Sequence, residues 1–321
     1  MKIEQLFDKF VFQDYSYHAI SRQELIMYFL RMWIDKSYAG INIDNVSLQR
    51  NPIRVFNRWC KTQERKKMLT GHILSTRGYR YFIINSNNIS PEEVICGVYK
   101  YGYLSHLSAL RHYQIVTAKN NTIYFTVPDK VTWKKLFLEQ LDNFLPERKV
   151  ARESLEYDFL WSVDDNDLIP NFPIEDELNG YQINIITQKV SSNVDEWGNL
   201  RIEALPDLYL SIMRNVQYSG GFKQVLKVYE NIRNEEFINF LNLLNSSVAS
   251  DIDRARVGFI FEKILRRSHD FFNKWKVEQK NKRGGSRKLL PHLPFSSIYD
   301  EDWNISVNSE IAKPFASSYV N

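Results

Sequence analysis

The sequence predicts an α+β fold in two parts: a small basic N-terminal module, then a larger mixed α/β domain ending in helices. Three observations carry this. Helical and strand-like periodicities both occur along the chain. Charge is segregated, with nine Lys/Arg between Arg50 and Arg80 against one acid, Glu64, and nine acids with no Lys or Arg across 153–177. From Pro206 to Arg267 the apolar spacing is almost wholly helical. With 321 residues, 44% of them hydrophobic, the chain is long enough for two domains with real cores.

Ile3, Leu6, Phe7 and Phe10 lie at i, i+3, i+4 and i+7 and predict a first short helix. Ser21-Arg22-Gln23-Glu24 has the form of a capping box and precedes Leu25, Ile26, Tyr28, Phe29 and Trp33, a second helix. Residues 35–50 read as a loop with room for one short strand. Asn51 as cap and Pro52 at the first helical position then start a helix running to about Lys67. Ile53, Phe56, Trp59 and Cys60 form its apolar side. Arg54, Arg58, Lys61 and Arg65, at i, i+4, i+7 and i+11, form a continuous positive stripe.

Two strand-like runs follow, Gly71–Ser75 and Tyr79–Ile84, joined by Thr76-Arg77-Gly78. Two helices, a basic helix and a hairpin make the order of a winged helix-turn-helix, expected here over residues 1–88. In that module the last helix enters the major groove and the hairpin tip touches backbone or minor groove. Arg54, Arg58, Lys61 and Arg65 are the expected groove residues, joined by Arg50 ahead of the helix and by Lys66 and Lys67 at its end. Arg77 and Arg80 are expected on the wing. The 35–50 stretch departs from the usual turn of about 3–4 residues, and a merely solvated basic face is the plain alternative.

From residue 89 the larger domain begins. Ser90-Pro91-Glu92-Glu93 repeats the helix-start pattern. Gly102–Val116 reads as a short buried helix capped by Ser105, with Leu104, Leu107 and Leu110 at helical spacing. Ser105, His106, Leu107, Ser108 and Leu110 are taken as a motif opening this domain, with His106 structural. Thr122–Val127 is strand-like and Trp133–Leu145 helix-like. The acidic stretch 153–177, with Pro170 and Pro173, reads as a surface insertion or linker. Strands at Tyr181–Thr187 and Leu200–Ala204 precede helices at Leu208–Met213, Phe222–Ile232, Glu235–Leu244 and Asp251–Arg267. A second basic region, Lys263–Lys288, offers either a further nucleic-acid surface or a solvated helix. Trp303–Val307 is a closing strand-like run.

The motifs of common catalytic sites are missing from this sequence: it has no Gly-rich phosphate loop, H-E-x-x-H or G-x-S-x-G. Asp164, Asp165 and Asp167 lack the glycine and terminal glutamate of a calcium loop. Cys60 and Cys96 stand singly, so a reducing, cytoplasmic setting is expected. No apolar run approaches the ~18 residues of a membrane span, and no secretory leader is read. No cofactor, no metal and no membrane partner are expected.

Tyr103-Leu-Ser-His-Leu-Ser-Ala-Leu-Arg-His-Tyr-Gln-Ile115 resembles the Ser-His-x-Ser-Ala-Leu stretch of the AbiEi-type antitoxin and transcriptional-regulator family of abortive-infection toxin–antitoxin systems. Leu205–Asn215 followed by Ser219-Gly-Gly-Phe222 resembles that family's strand-to-helix segment and Gly-Gly helix start. Arg256-Val-Gly-Phe-Ile-Phe-Glu262 resembles its late Arg-x-Gly-x-x-x-Glu helix. Trp303-Asn-Ile-Ser-Val-Asn308 resembles its closing strand. The resemblance implies a winged helix that binds double-stranded operator DNA and represses its own operon. It also implies a C-terminal domain, 89–321, that counteracts a nucleotidyltransferase-like toxin without a stable complex, as part of a type IV phage-defence system.

Two other readings stay open. One is an enzyme acting on nucleic acids or nucleotides through carboxylates in 153–177, Asp164 and Asp165 above all. The other is a protein-interaction module whose basic third grips an acidic partner.

Overall fold

A computed structural model describes the chain except for residues 45, 47–50, 75–78, 85–88, 118–119, 150–159, 161–162, 164–167, 281, 283–286 and 319–321. The protein is a mixed α and β structure in two compact units. Unit 1 comprises 1–104, 121–191 and 196–201; unit 2 comprises 105–120, 192–195 and 202–321. The expected boundary at 88/89 falls inside unit 1.

Unit 1 opens with α1 (Ile3–Lys9), which continues into a π-helical turn, Phe10–Asp14. A strand not anticipated from sequence, β1 (Ala19–Ser21), leads into α2 (Arg22–Asp35). Ser21 caps α2, its hydroxyl accepting from the Glu24 amide at 3.1 Å. The expected capping box forms only by half, because the Glu24 carboxylate turns away toward Tyr28 and Lys100. The 35–50 stretch holds a miniature hairpin, β2 (Ser37–Tyr38) with β3 (Ile41–Asn42).

The helix α3 (Pro52–Arg65) starts as expected, with the Asn51 side chain accepting from the Arg54 amide at 3.1 Å. Strands β4 (Leu69–Leu74) and β5 (Tyr79–Ile84) pair from Leu69↔Ile84 to Leu74↔Tyr79. The third strand, β1, pairs antiparallel with β5, so the sheet order is β1-β5-β4. Next, α4 (Pro91–Val98) carries the full capping box, Ser90 and Glu93 bonding each other's amides. It packs so tightly on β1 that a Cβ at Gly97 would lie 2.4 Å from the Ala19 carbonyl oxygen. This packing is why unit 1 continues past residue 88.

The second sheet of unit 1 sets β6 (Tyr103–Leu104) antiparallel to β7 (Thr122–Pro128), and β7 parallel to β9 (Tyr181–Gln188). Strand β8 (Asp176–Leu178) pairs antiparallel with β9. Parallel neighbours need a long crossover, and α6 (Lys130–Phe144) lies between them in sequence. Residues 196–201 of the hairpin formed by β10 (Val194–Trp197) and β11 (Leu200–Glu203) extend this sheet. Leu104, expected on a helix, is in β6.

One core joins these parts. Phe7 packs edge-on against Phe29 and Trp59, with ring centroids 5.0 and 4.6 Å apart. Leu141, Leu145, Leu160, Val163 and Leu168 are buried in the same cluster. Leu160, Val163 and Leu168 come from the acidic stretch, so these three residues belong to the core and not to a surface insertion. Asp164 and Asp165, expected as candidate carboxylates, lie outside the described residues.

Unit 2 is mostly helical: α5 (His106–His112), α7 (Leu205–Arg214), α8 (Phe222–Glu230), α9 (Asn234–Leu244), α10 (Asp251–Phe259) and α11 (Asp270–Lys280). A π-helical turn, Ile260–Ile264, extends α10. The small closing hairpin pairs β12 (Tyr299–Asp300) with β13 (Ile305–Ser306). Two of the segments behind the family resemblance, the Arg256–Glu262 helix and the Trp303–Asn308 run, meet here. Gly258 faces the Trp303 ring so closely that a Cβ would sit 2.1 Å from it. The Trp303 Nε1 donates to Glu262 Oε2 at 2.9 Å, and Asn308 Oδ1 accepts from the Leu290 amide at 2.9 Å.

Candidate nucleic-acid interface and a buried polar centre

Two places concentrate polar chemistry, and they are built in opposite ways. In unit 1, α3 buries Val55, Phe56, Trp59, Cys60 and Gln63 and turns Arg54, Arg58, Lys61 and Arg65 to solvent. Lys66 and Lys67, just past its end, are exposed too. Two bonds onto one carboxylate fix α3 against α1: Trp59 Nε1 and Gln63 Nε2 both donate to Asp8 Oδ1, at 2.7 and 2.8 Å. Partial burial raises the Asp8 pKa, which the Trp59 bond offsets in part. Cys60 is a core residue whose thiol burial pushes up to about 12.

The stripe is not uniform. Arg58 lies 3.3 Å from Glu4, although its side chain stays 68% exposed. Arg54, Lys61 and Arg65 form no ion pair among the described residues. Arg80, expected on the wing, is the second residue of β5, opposite Ile73; it pairs with Glu64 and lies over the Phe82 ring at 5.2 Å. The Arg80–Glu64 pair passes above Gly71, where a Cβ would meet the Glu64 carboxylate at 2.4 Å. It therefore ties the end of α3 to the hairpin. Arg50 and Arg77 lie outside the described residues. In the second basic region, Lys263 pairs with Asp302 at 2.5 Å, Lys276 with Glu262 at 2.6 Å and Lys282 with Asp251 at 2.7 Å, so these three charges are already matched.

In unit 2 the polar groups are buried. Ser105, His106, Ser108, Glu203, Asp207 and Ser211 are each at most 6% exposed, and Leu107 and Leu110 at most 4%. The Ser105 side chain does not cap α5 as expected. Its hydroxyl engages His106 Nδ1 at 2.9 Å, and His106 itself takes φ +49°, left-handed geometry that costs a non-glycine residue about 1–3 kcal/mol. Burial pushes the His106 pKa down to about 3, so its ring is neutral at pH 7.

Sequence reasoning missed Glu203, which β11 places in this centre. Its Oε1 accepts from the hydroxyls of Ser192 at 2.7 Å and Ser211 at 2.5 Å. Burial pushes its pKa up to about 7, against the pull of those two hydroxyls. Asn193 donates to Asp207 at 2.9 Å beside it, and Tyr113 donates to Asp195 at 2.8 Å. Glu203 Oε2 and His106 Nε2 are buried without a hydrogen-bond partner among the described residues. A lone acid in the run Leu200–Ala204 carried no sequence signal of this burial. Among the described residues no group of three or more His, Cys, Asp or Glu is arranged to hold a metal ion, and no helix is long and apolar enough to cross a membrane.

No protein-family model matches this chain, and no curated protein matches it either. Function therefore has to be argued from the two sites. The first presents unmatched positive charge on a rigid helix, which suits a polyanion. The second holds a neutral His106 and a Glu203 pushed toward its neutral form within a packed interior, which suits shape and pH response more than exchange with solvent.

Proposed function

We propose that the chain is a DNA-binding transcriptional regulator whose residues 3–84 form a winged helix-turn-helix with α3 as recognition helix. The observation that carries this is topological: helix, strand, helix, helix and hairpin, with sheet order β1-β5-β4 and an exposed Arg/Lys stripe on the third helix. Arg54, Lys61 and Arg65 are the residues free to read base edges or hold phosphates. Arginine suits base reading because its planar fork engages guanine O6 and N7 together. Lys66 and Lys67 hold backbone, and Arg80 positions the wing through Glu64 instead of touching DNA.

On the motif resemblance alone, the regulated operon is the protein's own, and the chain is the antitoxin of a type IV abortive-infection system acting against a nucleotidyltransferase-like toxin. The convergence of Gly258, Glu262 and Trp303 supports that resemblance by giving its spaced residues a common structural reason.

The test is fluorescence anisotropy with full-length protein on DNA from upstream of its coding sequence. Saturable binding that competitor DNA of scrambled sequence fails to displace supports the reading. Equal affinity for scrambled DNA, or unchanged affinity after Arg54→Ala with Lys61→Ala, overturns it. The antitoxin half is tested separately, by whether co-expression rescues growth from the neighbouring toxin reading frame.

A further inference from the structure

Glu24 is where the structure departs most informatively from the sequence pattern. A glutamate three residues after a serine cap ordinarily bonds back to the cap amide. This one turns inward. It is 4% exposed, and its Oε1 accepts only from Tyr28 Oη and Lys100 Nζ, both at 3.4 Å, the long limit for hydrogen bonding. Its Oε2 accepts no hydrogen bond among the described residues.

The carboxylate lines a cavity of about 180 Å³ within unit 1, between the Phe10–Tyr17 segment, α2 and the end of α4. Phe10, Tyr15 and Tyr28 form its aromatic wall, with ring centroids 4.8 to 6.0 Å apart. Tyr15, partly buried, makes no hydrogen bond through its hydroxyl among the described residues. Arg201 also lines the cavity, but three backbone carbonyls, those of Cys96, Tyr99 and Gly102, take up its guanidinium. This oxygen opens onto the cavity without a protein donor among the described residues, and a ligand that supplies N–H donors would bond it.

We propose that this cavity binds a small apolar α-amino acid, its ammonium on Glu24 and its carboxylate on Lys100. Both signs of charge line the cavity side by side, 3.4 Å apart. An α-amino acid carries the opposite pair at nearly the same separation, so all four charges meet head to tail. A simple amine would leave Lys100 unmatched, and a simple carboxylate would leave Glu24 unmatched. The aromatic wall accepts the apolar side chain. A cavity of about 180 Å³ leaves room for a leucine-sized side chain.

The experiment is isothermal titration of the full chain with L-leucine, 3-methylbutylamine and 4-methylpentanoate, the last two each lacking one charged head. Saturable leucine binding is expected, with each truncated probe at least ~10-fold weaker. Glu24→Gln, near-isosteric, and Lys100→Met, partly exposed and tolerant of change, are each expected to weaken leucine ~10-fold or more, with unaltered circular dichroism confirming the fold. No saturable heat up to about 10 mM leucine, equal affinity for the amine, or full affinity in folded Lys100→Met overturns the proposal. None of these readouts involves DNA, so the site stands or falls apart from the operator-binding reading.

Discussion

The basic face of α3 and the His106–Glu203 centre handle polar groups in opposite ways. On α3 the cations stay in water, where they keep their charge at little cost and can trade counterions for phosphates. Around His106 the same class of group is taken out of water, and burial drives the histidine and the glutamate toward their neutral forms. One region leaves its charges exposed to solvent. The other is built to hold a shape. Mutations should separate them cleanly.

The largest effect is expected from Leu110→Ala, which opens a cavity at a fully buried position in α5. It should cost about 2–5 kcal/mol in denaturant unfolding and leave operator preference unchanged in anisotropy. A changed preference would break the comparison.

Next comes pH. Glu203 has a folded pKa of about 7, above the ordinary 4.5, so the folded state holds the proton more tightly. Stability from this group is full below pH 4.5 and is lost as pH rises to 7, by at most about 3 kcal/mol. His106 acts in the other direction: its folded pKa of about 3 lies below 6.5, so stability is full above pH 6.5 and is lost as pH falls to 3. Between pH 4.5 and 6.5 the two slopes oppose. Glu203→Gln should therefore remove the loss toward neutral pH and keep the loss on the acid side, read from unfolding midpoints across pH 3–8.

Smaller again, Arg54→Ala with Lys61→Ala should weaken operator binding by about 1–3 kcal/mol for each base-edge hydrogen-bonding side chain removed, with Tm unchanged. Arg58→Ala should cost less than Arg54→Ala, because Arg58 is shared with Glu4. The smallest expected change is in Lys66→Ala: similar weakening on all DNA sequences and a salt dependence shallower by about one unit.

What could be read beforehand was local. Asn51-Pro52 and Ser90-Pro91 announce α3 and α4 because a cap and a proline act within one turn. The basic stripe follows from helical period alone. What could not be read depended on distant partners. β1 is three residues long and exists because β5 lies beside it. Leu160, Val163 and Leu168 look like parts of an acidic surface segment until Phe7 and Leu141 are placed next to them. Glu24 matched a capping box in sequence, yet the open space beside α2 and the nearness of Lys100 decided where its carboxylate went. Ser105 likewise found His106 before it found the helix amides.

The interleaving of the two units has a consequence for how the protein is made. Unit 1 takes its last strand segment from residues 196–201, whereas the β1-β5-β4 sheet is already encoded by residue 84. At about 5–20 residues per second of synthesis, roughly 6 to 23 s separate the emergence of those two parts. For roughly the first 4 to 17 s of that interval the basic helix has been made while Leu141, Leu145, Leu160 and Leu168, which complete its core, are still arriving. A nascent chain of this kind exposes apolar surface beside a polycation. Its yield should depend on translation speed and chaperone supply more than the finished protein's stability would suggest.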